Sequence, residues 1–361
     1  MKQDNKVTGM LELILRPAFC VQNGSIVHTN KLAQDRGIVT GAPISELLIT
    51  GKEEYAALDG GCLYLTLCAN RIQFGASVTQ MDGFDIFVLE PEQTQPELQA
   101  LALAARELRE PLSNLMIAAD RLLPTLDDNN ESAQKQAATI NQSLHHLLRL
   151  IGNMSDGARY AEDPNSRLEY RNISSFLEEL FSKSASLVES AGITLRFTGY
   201  PEPIRSMVDA EKLERAVYNL ISNAVKFTPK GGCIEAKLTR HGNTAYLTVT
   251  DNGSGIPQEQ LHSLYFRYLR PSCVEDSRHG IGLGMVMVQA AAAAHDGTVL
   301  IEQPKDGGTK VTLTMSIRPQ KDGNFRSPPG LKVDYAGERD HGLIELSDLL
   351  PSSNFKSKKI N

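Results

Sequence analysis

The sequence predicts a multidomain α/β protein, and three observations carry that prediction. Residues 1–92 hold short β-rich runs punctuated by Asn-Gly and Asp-Gly turns, which reads as a small α+β domain. Residues 93–160 hold two stretches whose apolar residues recur every three and four positions, which reads as an antiparallel two-helix hairpin. Residues 165–318 alternate helix and strand signals and carry two glycine-rich loops, and residues 319–361 form a linker and tail. The chain has 361 residues, enough for two or three domains, with 41% hydrophobic and 22% charged residues. Its net charge of -6 and lack of a basic block argue against nucleic acid as a main partner. The five cysteines are scattered without a Cys-x-x-Cys pair, which points to a reducing compartment and no structural zinc. The N-terminus lacks the pattern of a signal peptide, and the longest weakly polar run, 284–294, is too short for a membrane span. A cytoplasmic location is the expectation.

In the first domain, residues 18–30 read as strand, Asn23-Gly24 turn and strand. A polar, helix-compatible segment runs to about Leu48. Strands are then expected over Cys62 to Ala69, Ile72 to Thr79 and Phe84 to Leu89, with Asp82-Gly83 as the last turn. Two strands, short helices and three antiparallel strands resemble a PAS domain, which implies a sensing or dimerising role. A ligand-free α+β spacer is the alternative. His28 is read as structural.

The first helix of the hairpin carries Leu98, Leu101, Ala105, Leu108, Leu112, Leu115, Ala119 and Leu122 in an unbroken heptad seam. Pro124 and the run Asp127-Asp128-Asn129-Asn130 make the turn, and Ala133, Ala137, Ile140, Leu144, Leu147, Ile151 and Met154 form a second seam. One hairpin buries both stripes poorly, so the expectation is a four-helix bundle in a homodimer, formed through residues 98–154. The alternative is a hairpin packed within one chain. The stretch Ala105-Arg106-Glu107-Leu108-Arg109-Glu110-Pro111-Leu112 resembles the phosphoacceptor helix of sensor histidine kinases, small-His-Glu-Leu-Arg-Thr-Pro-Leu. Arg106 takes the place of the histidine. A guanidinium is permanently protonated and has no free lone pair, so it does not accept phosphate as an imidazole does. The resemblance makes Glu107 the catalytic partner of the missing histidine; here it is read as pairing with a cation. Glu110 stands where the family's phosphatases carry Thr or Asn. His145 and His146, on the second helix, are read as surface residues.

The third domain supplies the nucleotide motifs. A helix after Asp209 carries the stripe Leu213, Ala216, Val217, Leu220, Ile221 and Ala224, and its other face carries Asn219, Asn223 and Lys226. An amide oxygen suits Mg²⁺ and a lysine suits phosphate. The β-rich run 246–250 then delivers Asp251 into Asn252-Gly253-Ser254-Gly255-Ile256-Pro257. A buried carboxylate at a strand end needs donors, and an adenine amino group is one. Gly280-Ile281-Gly282-Leu283-Gly284 precedes an alanine-rich helix, and Gly307-Gly308-Thr309 follows. In order and spacing this set resembles the N, G1, G2 and G3 boxes of the GHKL, or Bergerat-fold, ATPases in their histidine-kinase version. The resemblance spans about 106–317 and implies an α/β-sandwich that binds ATP and Mg²⁺. By position, Asn223 would hold Mg²⁺, Lys226 would meet phosphate and Asp251 would take the adenine amino group. Gly253 and Gly255 would admit the base, while Gly280, Gly282 and Gly284 would hinge an ATP lid spanning about 264–279. Thr309 and Asn219 complete the binding set. Leu264 to Arg270 resembles the F box. Asn219 stands where ATP-hydrolysing relatives carry Glu, which disfavours direct hydrolysis.

In the tail, 319–330 reads as a linker, Asp340 to Leu350 as a short apolar-faced helix that docks on the body or a partner, and 352–361 as frayed. The functional expectation is a histidine-kinase-like signalling protein that binds Mg-ATP and acts as a pseudokinase, with a response regulator or an active kinase as partner. One alternative is a kinase using an unusual acceptor or a partner's histidine. Another is a structural dimer with a vestigial site.

Overall fold

The computed structural model describes residues 2–90, 96–127, 129–162, 167–256, 283–319 and 340–356. The chain opens with α1 (Lys2–Leu13), whose Val7 and Leu11 are buried against the first strands. It continues through β1 (Ala18–Gln22), β2 (Ser25–Thr29), α2 (Lys31–Asp35) and α3 (Lys52–Ala56) to β3 (Cys62–Ala69), β4 (Ile72–Met81) and β5 (Phe84–Leu89). The turns form where short polar residues tolerate a left-handed backbone: Asn23 and Gly24, and Asp82 and Gly83, all have positive φ. Asn30 (buried) is the joint of this domain. Its Oδ1 accepts from Ala33 N at the start of α2 and from Ala18 N in β1, both at 3.0 Å.

The hairpin is α4 (Pro96–Leu122) and α5 (Glu131–Glu162). Only half of the predicted seam packs inside one chain. Ala105, Leu112 and Ala119, joined by Met116 and Leu123, lie against Ala137, Leu144, Leu148 and Ile151. The intervening seam residues Leu108, Leu115, Leu122, Ile140 and Leu147 are 44% to 62% exposed. Pro111 lies inside α4, where its missing N–H leaves the Glu107 carbonyl without its helical donor.

The third domain runs β6 (Glu169–Asn172), α6 (Ile173–Ser190), β7 (Thr194–Thr198), β8 (Arg205–Val208), α7 (Ala210–Phe227), β9 (Cys233–His241), β10 (Thr244–Asp251), α8 (Gly284–Ala294), β11 (Val299–Glu302) and β12 (Thr309–Ser316). Asp209 caps α7 by accepting from Lys212 N at 3.1 Å. The apolar stripe of α7 lies in a core with Ile234, Leu247 and Leu313 of the sheet.

The first and third domains are not separate sheets. Their strands form one ten-stranded sheet, ordered β2-β1-β5-β4-β3-β11-β12-β10-β9-β7. The joint is an antiparallel pairing of Tyr64, Leu63 and Cys62 with Val299, Leu300 and Ile301. Tyr64 enters the core of the third domain, and Leu300 packs on that of the first.

The tail departs from the reading of 352–361 as frayed. After α9 (His341–Glu345), Ser352–Phe355 forms a 3-10 turn and Phe355 is buried. An aromatic side chain gains more by leaving water than the end of the chain gains in freedom. His145 and His146 are likewise not open surface residues. Both are partly buried; the His145 ring stands edge-on to Phe355 at 5.3 Å between centroids.

Candidate functional site

Alternation along β10 turns every second side chain inward and makes Asp251 the last buried one, at 8% exposure. Its Oδ1 accepts from Gly253 N at 2.8 Å and from Thr309 N at 3.3 Å. Thr309 is there because it is Asp251's register partner on β12. Both hydrogen bonds fall on one oxygen, and among the described residues no donor is seen on Oδ2. Burial raises the carboxyl's pKa, and the two N–H donors pull it part of the way back.

The loop after Asp251 is built by close approach of backbone to backbone. Ser254 N donates to the Phe227 carbonyl at 3.3 Å, so the end of α7 and the loop share one contact. A Cβ on Gly253 would overlap that carbonyl, and one on Gly308 would overlap the carbonyl of Asp251. Gly255 has a φ of +71°, and a Cβ there would meet Gln303 Nε2 at 2.8 Å. Asp251, Gly253, Gly255 and Thr309 therefore stand together, as the sequence leads one to expect. Gln303 joins them without a local signal, because only the pairing of β11 with β12 brings it near.

A second group lies between α7 and α8. Asn219 Nδ2 donates to the Arg215 carbonyl at 2.8 Å and lies 3.3 Å from Met287 Sδ. A Cβ on Gly284 would come within 2.7 Å of Asn219 Oδ1, so glycine at the start of α8 lets the two helices close. Asn219 is 3% exposed and is a packing residue here, whereas Asn223 is partly exposed, with Nδ2 3.9 Å from Met285 Sδ. Lys226 holds its Nζ 5.7 Å from the centre of the Phe227 ring, whose backbone carries the loop. Phe227 thus links the two groups.

His295, which the motif reading passed over, fixes the far end of α8. It donates from Nδ1 to the Ala291 carbonyl at 2.6 Å and accepts at Nε2 from Asp209 N at 3.0 Å. Burial lowers its pKa and keeps the ring neutral in that double role. Gly280, Gly282, Pro257, the F-box-like stretch from Leu264 to Arg270 and the expected lid lie outside the described residues. On the hairpin, Arg106, Glu107 and Glu110 are all exposed. Among the described residues no cluster of three or more His, Cys, Asp or Glu side chains could hold a metal ion. A magnesium site here would rest on the Asn223 amide and on the nucleotide's own oxygens. The donor set fits an adenine amino group: a buried carboxylate whose two described hydrogen bonds fall on one oxygen.

The chain is similar to known proteins over this region. Residues 208–319 match the family described as histidine kinase-, DNA gyrase B-, and HSP90-like ATPase. The hybrid signal transduction histidine kinase D of Dictyostelium discoideum is 30% identical over 240 residues, 64% of this chain and 15% of that one. The histidine protein kinase DivJ of Caulobacter vibrioides is 32% identical over 227 residues, 60% of this chain and 37% of that one. The chain thus spans well under half the length of these relatives. Among solved structures, full-length ShkA in complex with AMPPNP aligns over 62% of this chain and 47% of its own, at a TM-score of 0.51 and 22% identity, which speaks for the fold. No helix among the described residues is long and apolar enough to cross a membrane. Residues 208–319 thus match an ATPase-type domain, and over 60% to 64% of its length the chain is similar to these histidine kinases.

Proposed function

We propose that this chain is a dimeric signalling protein that binds Mg-ATP as a conformational ligand and does not phosphorylate its own hairpin in the usual way. The observation that carries the reading is the contrast between Asp251 and Arg106. Asp251 is buried, oriented by two backbone donors and has one oxygen to spare for an adenine amino group. Arg106 stands exposed at the family's acceptor position, with no lone pair to attack a γ-phosphoryl group. The AMPPNP complex of ShkA, a protein of similar fold, supports nucleotide binding by this chain. Asn223 would coordinate Mg²⁺, Lys226 would face the phosphates, and Gly253, Gly255 and Thr309 would line the base side. A cofactor held but not consumed acts by favouring the conformation that binds it better.

The hairpin histidines are read as packing residues and not as a displaced acceptor, since both are partly buried on α5. His146 Nδ1 is buried, and His145 Nδ1 is bonded to the Asn141 carbonyl at 2.7 Å. The exposed stripe Leu108, Leu115, Leu122, Ile140 and Leu147 supports a homodimer through 98–154. Five antiparallel strands in the order β2-β1-β5-β4-β3, contiguous within the ten-stranded sheet and with short helices between β2 and β3, support the PAS-like role of residues 1–92. On this reading the partner is a response regulator or an active kinase, and the setting is cytoplasmic.

Calorimetry with Mg-ATP tests the binding step: saturable heat that disappears in Asp251→Ala is the expected result, and no heat from the wild-type chain sinks the reading. Incubation with γ-labelled ATP tests the rest. Acid-labile label on this chain would establish the competing reading, a kinase with an unusual acceptor.

A further inference from the structure

We propose that residues 340–355 act as a strap that fastens the ATPase-type domain to the helical hairpin, and that its release lets the two separate. The proposal does not rest on nucleotide binding.

The segment contributes to two cores at once. Ile344 belongs to the hairpin's apolar cluster with Leu144, Leu148 and Ile151. Leu346, Leu350 and Phe355 belong to the core that α6, α7 and the sheet share. Its backbone is held from the hairpin side. Gln142 Nε2 donates to the carbonyls of Ser347 at 2.9 Å and Leu350 at 2.8 Å, and Asn141 Nδ2 donates to that of Phe355 at 3.1 Å. It is held from the domain side as well. Asn354 Nδ2 donates to Ser190 Oγ on α6 at 2.8 Å, and His341 Nδ1 lies 3.2 Å from Glu214 Oε1 on α7.

Glu345, fully buried, stands between a cation from each body. Its Oε1 accepts from Arg215 Nη1 of α7, and its Oε2 lies 3.4 Å from Arg149 Nε of α5. Arg215 also binds Asp156 of α5, while Arg149 binds Asp348 of the strap and donates to Ser222 Oγ of α7 at 2.7 Å. With the strap in place, these five charged groups are two cations and three anions. Without it they are two arginines and one aspartate at a buried seam. An ion pair that loses one buried partner leaves an uncompensated charge, which is strongly unfavourable. The seam therefore has two favourable arrangements: strapped and dry, or parted and hydrated. Such bistability is what a switch requires.

The strap also grips the turn of α7 that precedes Asn219 and Asn223, since the Arg215 carbonyl accepts from Asn219 Nδ2. Strapped, the domain is held in one position on its own hairpin, and any task that needs it to move waits for release.

Hydrogen–deuterium exchange on the full-length chain, without nucleotide, tests this. The wild-type protein should protect 341–350. Glu345→Gln should raise exchange about tenfold or more in that segment and, together with it, in 141–156 and 212–222, while 234–251 stays protected. Gln142→Ala, a partly exposed side chain outside the ion network, should move the same three segments by a smaller factor. It carries the decision should the Glu345 variant lose its fold. If either folded variant loosens 341–350 alone and leaves 141–156 and 212–222 at wild-type protection, the segment is a passive appendage and the proposal is overturned. Exchange of wild-type 341–350 at the rate of an unstructured peptide overturns it equally.

Discussion

The nucleotide site and the hairpin are finished to different degrees by one chain. Around Asp251, Gly253 N and Thr309 N donate to its Oδ1, Ser254 N donates to the Phe227 carbonyl, and glycines stand where any Cβ would collide. On the hairpin, alternate seam residues remain in water, and the acceptor position is an exposed arginine. On the proposed reading the site takes a small ligand and the hairpin a second apolar surface. The difference teaches that the Asp251 loop is fixed by geometry that tolerates little change, whereas position 106 is an exposed side chain that can be replaced without disturbing the fold.

The largest expected effect strikes the hairpin. Leu115→Glu with Leu122→Glu places two carboxylates where a partner chain's apolar surface would lie. The dimer should weaken by several hundredfold or more, on the order of 3–5 kcal/mol, read by sedimentation. Wild-type chain that is already monomeric at tens of micromolar, an order-of-magnitude working concentration, would show instead that the stripe has another occupant.

Next in size is the loss of the Asp251 carboxylate. Asp251→Ala removes a charge-assisted hydrogen bond, and the Kd for Mg-ATP should rise by roughly tenfold to a hundredfold. Unchanged calorimetric titration would break the assignment.

Asp251→Asn separates binding from stability. Burial raises the wild-type carboxyl's pKa, so the folded chain holds that proton more tightly than the unfolded chain does. The stability this raised pKa contributes is present below the unfolded value, about 4, and is lost as pH rises through the folded value. At neutral pH the neutral Asn variant should therefore melt at or above the wild-type temperature while binding ATP more weakly. The difference in Tm should vanish in acid. A marked drop in Tm at neutral pH would show that the carboxylate is structural.

Gly308→Ala should lower stability by about 1–3 kcal/mol, through a left-handed backbone and a collision with the Asp251 carbonyl, with a measurable loss of ATP affinity beside it. The smallest structural change is Arg106→His. It lies on an exposed face and should leave Tm unchanged, yet restore acid-labile label from ATP if the acceptor alone is missing. A folded, ATP-binding variant that takes up no label would place a further block elsewhere, with Glu110 the first residue to test.

Much of this protein is legible along the chain because its signals are local. Asn23-Gly24 and Asp82-Gly83 announce hairpins, and the stripe from Leu213 to Ala224 announces α7 after Asp209. The run ending at Asp251 announces a buried strand end, and the structure sets Gly253, Gly255 and Thr309 beside it. Asn219 shows the limit. Its residue type and spacing with Asn223 point to a ligand, but α8 covers it, and its amide serves the helix backbone and Met287. Nothing in a helical period says which neighbour will lie on a polar face.

Taken alone, the sequence determined the elements, their order, the glycine turns and the arginine at the acceptor position, because periodicity and turn chemistry act over a few residues. Tertiary structure alone decided that β3 pairs with β11 to make one sheet, that Gln303 reaches the Asp251 loop, and that Glu345 meets Arg149 and Arg215. Backbone hydrogen bonds at a strand edge read no side chains. A buried carboxylate meets its arginines only when segments some 130 to 200 residues apart are packed together, as the sequence separations of the Arg215–Glu345 and Arg149–Asp348 pairs show.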